Sequence, residues 1–310
     1  MPGFITHLLG GHSALKSIIP SIRENIAPML KLFNLGTQGP DIFFYYISGF
    51  ITKRIRGIGS HMHNADLGRF FMLMADKIKG SKSPSQRKIL FAYTAGFLAH
   101  YAVDVYTHPY IFSQTNDPPH PVLAEAERHR HFETSIDVLM LRNMYGKQPS
   151  DYKLGQLIAP DCLQKRVAAA SMAKTVRKIY NCDIHPWDVY RAMTQMARYE
   201  GYMQSNTGWL KRWLGNLENM VIKARVISAL IHMQEVTDNQ DYLNVKKAPW
   251  NSPFAPEDTR KESFIELFDA AVTDAAQMIE ALFAYIHGNL SKTQLASKIQ
   301  NRSLKTGLKS

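Results

Sequence analysis

The sequence predicts an all-α protein built as a single large helical domain. Apolar residues recur at helical spacing in one segment after another, and no segment alternates apolar and polar residues as a half-buried strand does. Proline and glycine mark the connections: residues 118–121 hold three prolines in four positions, which excludes a helix there. A chain of 310 residues with 45% hydrophobic content can bury a sizeable core around such helices.

Helices are expected wherever this spacing is sustained between breakers. In the first half of the chain, Gly36–Asp41 ends one helix and Gly80–Ser85 ends an amphipathic one, after which a long apolar helix begins. The predicted helices, in order, are Phe4–Ile19, Ile22–Leu35, Asp66–Lys77, the long apolar helix through His108, Glu125–Tyr145, Gln164–Tyr180, Pro186–Met203, Trp209–Val236, Glu262–His287 and Ser291–Gln300.

Three other segments are predicted to be non-helical. Lys53–Ser60 is basic and contains glycine, which favours a loop, and its glycines match no phosphate-binding fingerprint. Pro249–Pro256 is predicted to be a structured loop that packs against the helices, although it could also cover a site. Residues 302–310 are expected to form a frayed basic tail that carries no chemistry.

The chain is strongly basic. It has 37 Lys and Arg residues against 26 Asp and Glu residues, a net charge of +11 and a sequence pI near 9.5. This balance favours phosphate-bearing or acidic partners, among them nucleic acid and anionic lipid headgroups, although a solvated basic surface would give the same composition.

Cysteine usage and the first residues bear on the cellular compartment. Cys162 and Cys182 are too few for a disulfide framework, and neither has metal-ligand spacing. The first residues lack the positive region and cleavage site of a secretory signal, and no run is expected to reach the length of a membrane span. The sequence therefore predicts a cytoplasmic protein without a transmembrane segment.

Histidines concentrate in the first half, since nine of the 12 precede residue 132. His100, Asp104 and His108 recur every fourth residue, a spacing that stacks three side chains along one helix face, where they can converge on a cation. The rest of that helix is apolar, and burying such groups without partners costs about 2–7 kcal/mol each. A shared cation removes that cost, so this segment predicts a metal site.

His129 and Glu133 repeat the four-residue spacing on the next predicted helix. Imidazole and carboxylate together suit zinc or a similar divalent ion. Asp137 lies one turn further on, where it could orient a ligand histidine or stand on the surface as a solvated acid.

Three further candidates lie upstream. His7 is close to the start of the chain, where the α-amine, that of Pro2 once the initiator methionine is removed, could join it in binding a metal. Asp41 stands where a helix would begin, and taken alone it is interpreted as an N-cap. His61 and His63 would point in different directions on a helix, so one ligand is expected from the pair.

The order of these residues resembles that of the zinc-dependent phospholipase C family over about the first 140 residues. The two His/acid pairs at four-residue spacing are the strongest part of the resemblance, and Gly39–Asp41 ahead of an aromatic run is also similar. The position of His108 is closer to the amino-terminal domain of glycosylphosphatidylinositol-specific phospholipase D. His63 is chosen over His61 because residues 64–71 resemble the segment after the ligand in the broader bacterial branch.

The resemblance implies the all-helical fold of zinc-dependent phospholipases C and zinc nucleases, with a cluster of two or three zinc ions. Asp104 would bridge two of these ions. Asp41, His63 and His100 would complete the shell of one ion. His7 and the N-terminal amine would complete that of a second. The third ion would be held by His108, His129 and Glu133. Residues 1–145 would then be the metal-binding core, and residues 146–301 a helical remainder that packs on it within the same domain.

A zinc-dependent hydrolase of phosphate esters is the function that these residues favour. Zinc neutralises charge on a phosphoryl oxygen and lowers the pKa of water, so a phospholipase C-like phosphodiesterase is expected, with Asp104 as bridge and Asp41 as ligand or general base. The basic segment Lys53–Arg56 could attract the anionic group of the substrate. A phospholipid is one candidate substrate, and nucleic acid is less favoured because the related nucleases are secreted and carry disulfides.

A second hypothesis comes from a different functional class. The chain could be a non-catalytic helical interaction module in which metal ions replace part of the hydrophobic core. Open coordination positions beside a pocket would favour catalysis, whereas closed four-ligand shells would favour this structural role.

Overall fold

The computed structural model describes residues 3–115, 122–203, 235–236 and 238–309. Helices dominate these residues, which confirms the predicted all-α class. The α-helices in chain order are α1 (Phe4–Ser17), α2 (Pro20–Ile26), α3 (Leu30–Gly36), α4 (Thr52–Asn64), α5 (Leu67–Gly80), α6 (Pro84–Thr115), α7 (Val122–Tyr145), α8 (Leu154–Leu157), α9 (Cys162–Tyr180), α10 (Pro186–Met203), α11 (Phe264–Ile286) and α12 (Lys292–Ile299).

Short elements complete the described fold. Single 3₁₀ turns occupy Ala27–Met29, Gly39–Tyr45, Gly49–Ile51 and Pro149–Asp151. Strands β1 (Trp250–Ser252) and β2 (Ala255–Arg260) pair antiparallel with Trp250 opposite Arg260. The segment predicted as a packing loop around Pro253 is thus the turn of a small β-hairpin. The predicted helix Trp209–Val236 lies almost wholly outside the described residues, as does the proline-rich loop at 118–121.

Helix α6 is the central element of the core. It packs against α1, α3, α5, α7, α9 and α11, and its side chains are buried along most of its length. Among the described residues it is the one helix long and apolar enough to cross a membrane, contrary to the expectation that no run would be, and 94% of that apolar window is buried inside the protein.

The crossing of α3 and α6 brings the Asp41 segment over α6. A Cβ on Gly36 would lie 2.3 Å from the backbone oxygen of Tyr93, and one on Gly96 would lie 2.0 Å from that of Phe33. The two helix backbones can approach this closely only because both positions are glycine. The 3₁₀ turn that follows α3 therefore starts directly beside α6.

The prediction of a loop at Lys53–Ser60 is wrong, because these residues lie inside α4. Ile55, Ile58 and Met62 recur at helical spacing and are fully or almost fully buried, which holds the segment helical despite two glycines. Gly59 packs beside the Phe44 ring.

The expectation of a frayed tail is also wrong for residues 302–309. Arg302 pairs with Lys309 in an isolated antiparallel bridge, and Leu304 is fully buried. The Arg302 guanidinium lies 2.6 Å from the Asp274 carboxylate on α11. These contacts fix a short turn, here called the C-terminal hairpin (residues 302–309), against the helices.

Candidate metal centre

The structure brings the predicted site residues together in two neighbouring groups, which draw on α1, the 3₁₀ turn after α3, α4, α6 and α7. The first group is called the Asp104 group and consists of His7, Asp41, His63, His100 and Asp104. The second is called the His129 group and consists of His108, His129 and Glu133. His61 lies on the exposed side of α4, as expected if one histidine of that pair faces the site.

The Asp104 carboxylate lies at the middle of the first group. Its Oδ2 is 3.0 Å from His100 Nε2 and 3.9 Å from His63 Nε2, and its Oδ1 is 3.3 Å from His7 Nε2. His63 Nε2 is also 3.1 Å from Asp41 Oδ1. The ring of His7 stacks on that of His100 with centroids 4.0 Å apart. The two Asp104 oxygens therefore face different imidazoles, as a bridging carboxylate would require.

The His129 group extends from the other end of the same helix face. His129 Nε2 lies 2.8 Å from Glu133 Oε1, and His108 completes the group within 4.8 Å. His108 Nδ1 is 3.7 Å from Asp104 Oδ1, so the two groups adjoin. One face of α6 thus serves both groups.

Protein acceptors fix the tautomer of three histidines in these groups. Nδ1 of His63, His100 and His108 lies 2.7, 3.0 and 2.5 Å from the carbonyl oxygens of Gly59, Thr37 and Leu304, respectively. A carbonyl can only accept a hydrogen bond, so each Nδ1 carries the proton. Nε2 is then the nitrogen that each ring turns toward the interior of the site, which is the usual arrangement of a metal-binding histidine.

Thr115 does the same for His129. The Thr115 hydroxyl donates its hydrogen to the carbonyl of Ile111 at 2.8 Å, so it accepts from His129 Nδ1 at 2.9 Å. Nε2 is therefore the ring nitrogen of His129 that faces Glu133.

Whether these residues fit a metal can be judged from the polar atoms that have no hydrogen-bond partner. Such atoms are buried within the two groups: His7 Nδ1 and Nε2, Asp41 Oδ1, His63 Nε2, His100 Nε2, Asp104 Oδ1 and Oδ2, and His108 Nε2. Unsatisfied buried polar atoms are rare in proteins and costly. Their number and convergence fit bound cations, and a donor set of imidazole nitrogens and carboxylate oxygens suits zinc.

The electrostatics hold the donor atoms largely in their metal-binding protonation states. Burial lowers the pKa of His7 and takes that of His108 well below its ordinary value, which keeps both rings neutral. Burial alone would raise the pKa of Asp104, but His108, His100 and His7 hold it well below its usual range. For His100 burial is outweighed by Asp104 and Asp41, and its pKa is raised, so in the absence of a cation this ring competes for a proton.

Asp137 has a role that neither reading of the sequence anticipated. Its carboxylate is fully buried and accepts from the backbone N–H groups of Ile5 at 2.9 Å and Thr6 at 2.7 Å, and from the Thr6 hydroxyl at 2.6 Å. It therefore caps the amino terminus of α1, one turn from His7, across 131 residues of sequence. A local N-cap signal was absent because the cap comes from α7.

The Leu304 carbonyl was also missed by sequence reasoning. Every residue carries a backbone oxygen, so no residue type marks the one that supports His108. The amine of Pro2, proposed as a partner of His7, lies outside the described residues.

Comparison with known proteins points to one family. A family model described as zinc dependent phospholipase C matches residues 6–201, a range that includes every residue of both groups. No curated protein and no solved structure matches the chain.

Proposed function

Because the chain belongs to the zinc-dependent phospholipase C family, we propose that it is a zinc-dependent phosphodiesterase that cleaves phosphate esters by activating water. The observation that carries the proposal is the set of buried donor atoms that converge around Asp104 without a hydrogen-bond partner. Zinc bound there would supply a Lewis acid for a phosphoryl oxygen and lower the pKa of water. A phospholipid is the substrate class that the family name favours.

Asp104 and Asp41 differ in solvent exposure, and we use this difference to assign them different roles. Asp104 is fully buried and both its oxygens lack hydrogen-bond partners, so it can hold two ions but cannot reach bulk water. Asp41 is 6% exposed, and its Oδ1 lies 3.1 Å from His63 Nε2. We therefore assign the bridge to Asp104, and to Asp41 the role of a ligand that can also accept a proton from water.

The test begins with protein purified without added metal. We expect two or three zinc ions per chain, with hydrolysis of a chromogenic phosphodiester and a phosphatidylcholine analogue that chelation abolishes and zinc restores. Asp104→Asn should lose at least one ion and all turnover, because an amide is a poor bridging ligand. Asp188→Asn is the matched control, since Asp188 is also buried but accepts from Tyr46 at 2.8 Å outside both groups.

The results of these experiments distinguish the bridging role of Asp104, the hydrolase and the non-catalytic module. Unchanged metal content in Asp104→Asn would refute the bridge. Bound zinc without turnover on phosphodiesters, phospholipids or single-stranded DNA would favour the metal-stabilised interaction module. The cytoplasmic location stays a prediction from the sequence, and immunolocalisation or fractionation of the native cells would test it.

A further inference from the structure

The C-terminal hairpin is anchored to a metal-ligand residue of each group. The Ser303 hydroxyl and the Lys305 backbone N–H both donate to the carbonyl oxygen of His63 at 3.2 Å. The Leu304 carbonyl accepts from His108 Nδ1 at 2.5 Å. Three consecutive residues of the hairpin are thus bonded to His63 on α4 and His108 on α6, so the base of the Lys305 side chain is fixed between the two groups.

The Lys305 ammonium lies over two aromatic rings at the edge of the His129 group. Its Nζ is 5.5 Å from the centroid of Phe112 and 5.7 Å from that of Phe254 in the β1–β2 turn. The Phe112 ring is in turn 4.8 Å from the His129 ring and 5.6 Å from the His108 ring. Both distances from Nζ are within the range of a cation–π contact, which orients the ammonium beside the group.

Among the described residues, some surface lysines pair with acids, whereas Lys305 does not. Lys292, for example, lies 2.6 Å from the Asp76 carboxylate. Within the part of the chain that the structure describes, Lys305 has aromatic contacts but no carboxylate partner. Its side chain is exposed, so a solute can reach it. An accessible ammonium that shares the Phe112 ring with His108 and His129 suits an anion that also approaches those histidines.

We propose that Lys305 is a substrate-binding residue that contacts the phosphate of the ester at the edge of the His129 group. The proposal rests on the proposed function, because that function supplies the phosphate. Lysine acts on a phosphate as a point charge with three donors, which tolerates different ester substituents. The shared ligand chemistry is a tetrahedral phosphate anion, either free inorganic phosphate or the phosphodiester of a substrate.

The first measurement is a calorimetric titration of zinc-loaded full-length protein with inorganic phosphate. We expect Lys305→Met to weaken phosphate binding about five- to tenfold, the effect of one hydrogen bond of ordinary net strength at an exposed site, while Lys305→Arg stays within about threefold of the parent. Lys309→Met is the matched control, since it removes the same charge from an exposed position of the same hairpin, where Lys309 pairs with Arg302. We expect it to change binding less than about twofold. Zinc content should be the same in all four proteins.

The second measurement is hydrolysis of the phosphodiester found active in the test of function. Lys305→Met should raise KM by a similar factor and leave kcat within about twofold, because the contact holds the phosphate in the ground state as well as in the transition state.

The outcomes distinguish this inference from the proposed function. Phosphate binding and KM unchanged in Lys305→Met, or changed equally in Lys309→Met, would overturn the role of Lys305 while leaving the hydrolase intact. Absence of phosphate binding by the parent protein would also overturn it. Lys305-dependent phosphate binding by a protein that hydrolyses no phosphodiester would support the anion site and contradict the hydrolase.

Discussion

At the scale of single residues, Gly39 sets how closely the Asp41 segment approaches α6. It has a φ of +47°, and a Cβ there would lie 2.3 Å from Cδ2 of His100. Gly49, in the next 3₁₀ turn, has a similar φ of +53° but nothing within 4 Å of the equivalent position. Substitution of the two glycines can therefore separate the cost of backbone strain from the cost of a clash with His100.

We expect Gly39→Ala to lower the free energy of unfolding by about 3 kcal/mol or more, since left-handed strain of about 1–2 kcal/mol adds to displacement of His100. Gly49→Ala should incur the strain alone. Chemical denaturation and zinc content measure the two effects. A zinc content equal to the parent's in Gly39→Ala, with the same loss of stability as in Gly49→Ala, would contradict the positioning of His100 by this contact.

The sequence could predict the parts of the site that consist of characteristic side chains close together in the chain. The spacing of His100, Asp104 and His108 is visible because polar side chains stand out in an apolar helix. The supports of those side chains are backbone carbonyls, such as that of Leu304, or an acid far away in sequence, such as Asp137. Neither leaves a local pattern, so the ligand candidates were predicted and their supports were not.

At the scale of elements, α1 depends on α7 for its amino terminus. The N-cap residue, Gly3, has no side chain to cap the helix, and a Cβ at that position would lie 2.2 Å from Asp137 Oδ2. The absence of a side chain at Gly3 thus leaves room for the Asp137 carboxylate, which takes the place of a local cap. His7 is held one turn further along the same helix.

Asp137→Asn should lower the free energy of unfolding by about 1–3 kcal/mol, because the amide offers one oxygen where the carboxylate offered two. Asp161→Asn is the control: Asp161 caps α9 locally through one bond of 2.8 Å, and Asn is as good an N-cap, so a change within about 0.5 kcal/mol is expected. Urea denaturation of zinc-loaded protein measures both. Equal effects of the two substitutions would argue against the special role of Asp137.

Helix α4 shows why an element can be misjudged from composition. Charged residues and two glycines in Lys53–Ser60 favour a loop, and the apolar positions that hold the helix, Ile55 and Ile58, are few. Their burial against the core outweighs the cost of glycine, about 1 kcal/mol each. The apolar residues of α6 continue over a much longer segment, so its sequence clearly predicts a helix.

At the scale of the whole molecule, bound ions would link the separate elements that carry the histidines and carboxylates of the two groups. The donor atoms come from five segments between His7 and Glu133, and many of those outside α7 are buried without a hydrogen-bond partner. Without ions, buried polar atoms would be unsatisfied in α1, the 3₁₀ turn after α3, α4 and α6 at once. The stability of the molecule should therefore depend on metal throughout the first half of the fold.

We expect a zinc chelator to lower the melting temperature by about 10 °C or more, since loss of one ion held at about a thousand times its dissociation constant would account for that shift. Chelator already saturated with zinc is the control and should have no effect. Differential scanning calorimetry with parallel metal analysis measures the shift. Complete loss of zinc at an unchanged melting temperature would show that the groups are stable without ions.

The separation of the site residues along the chain has a consequence for the order of folding. The bond between Ser303 and His63 spans 240 residues, and that between Asp137 and Thr6 spans 131. Helices form within about a microsecond, whereas contacts between distant residues form late and slow the folding of a chain. Most helices would exist before the donor atoms meet. Binding of an ion by donors from all five segments would then be a late step of folding.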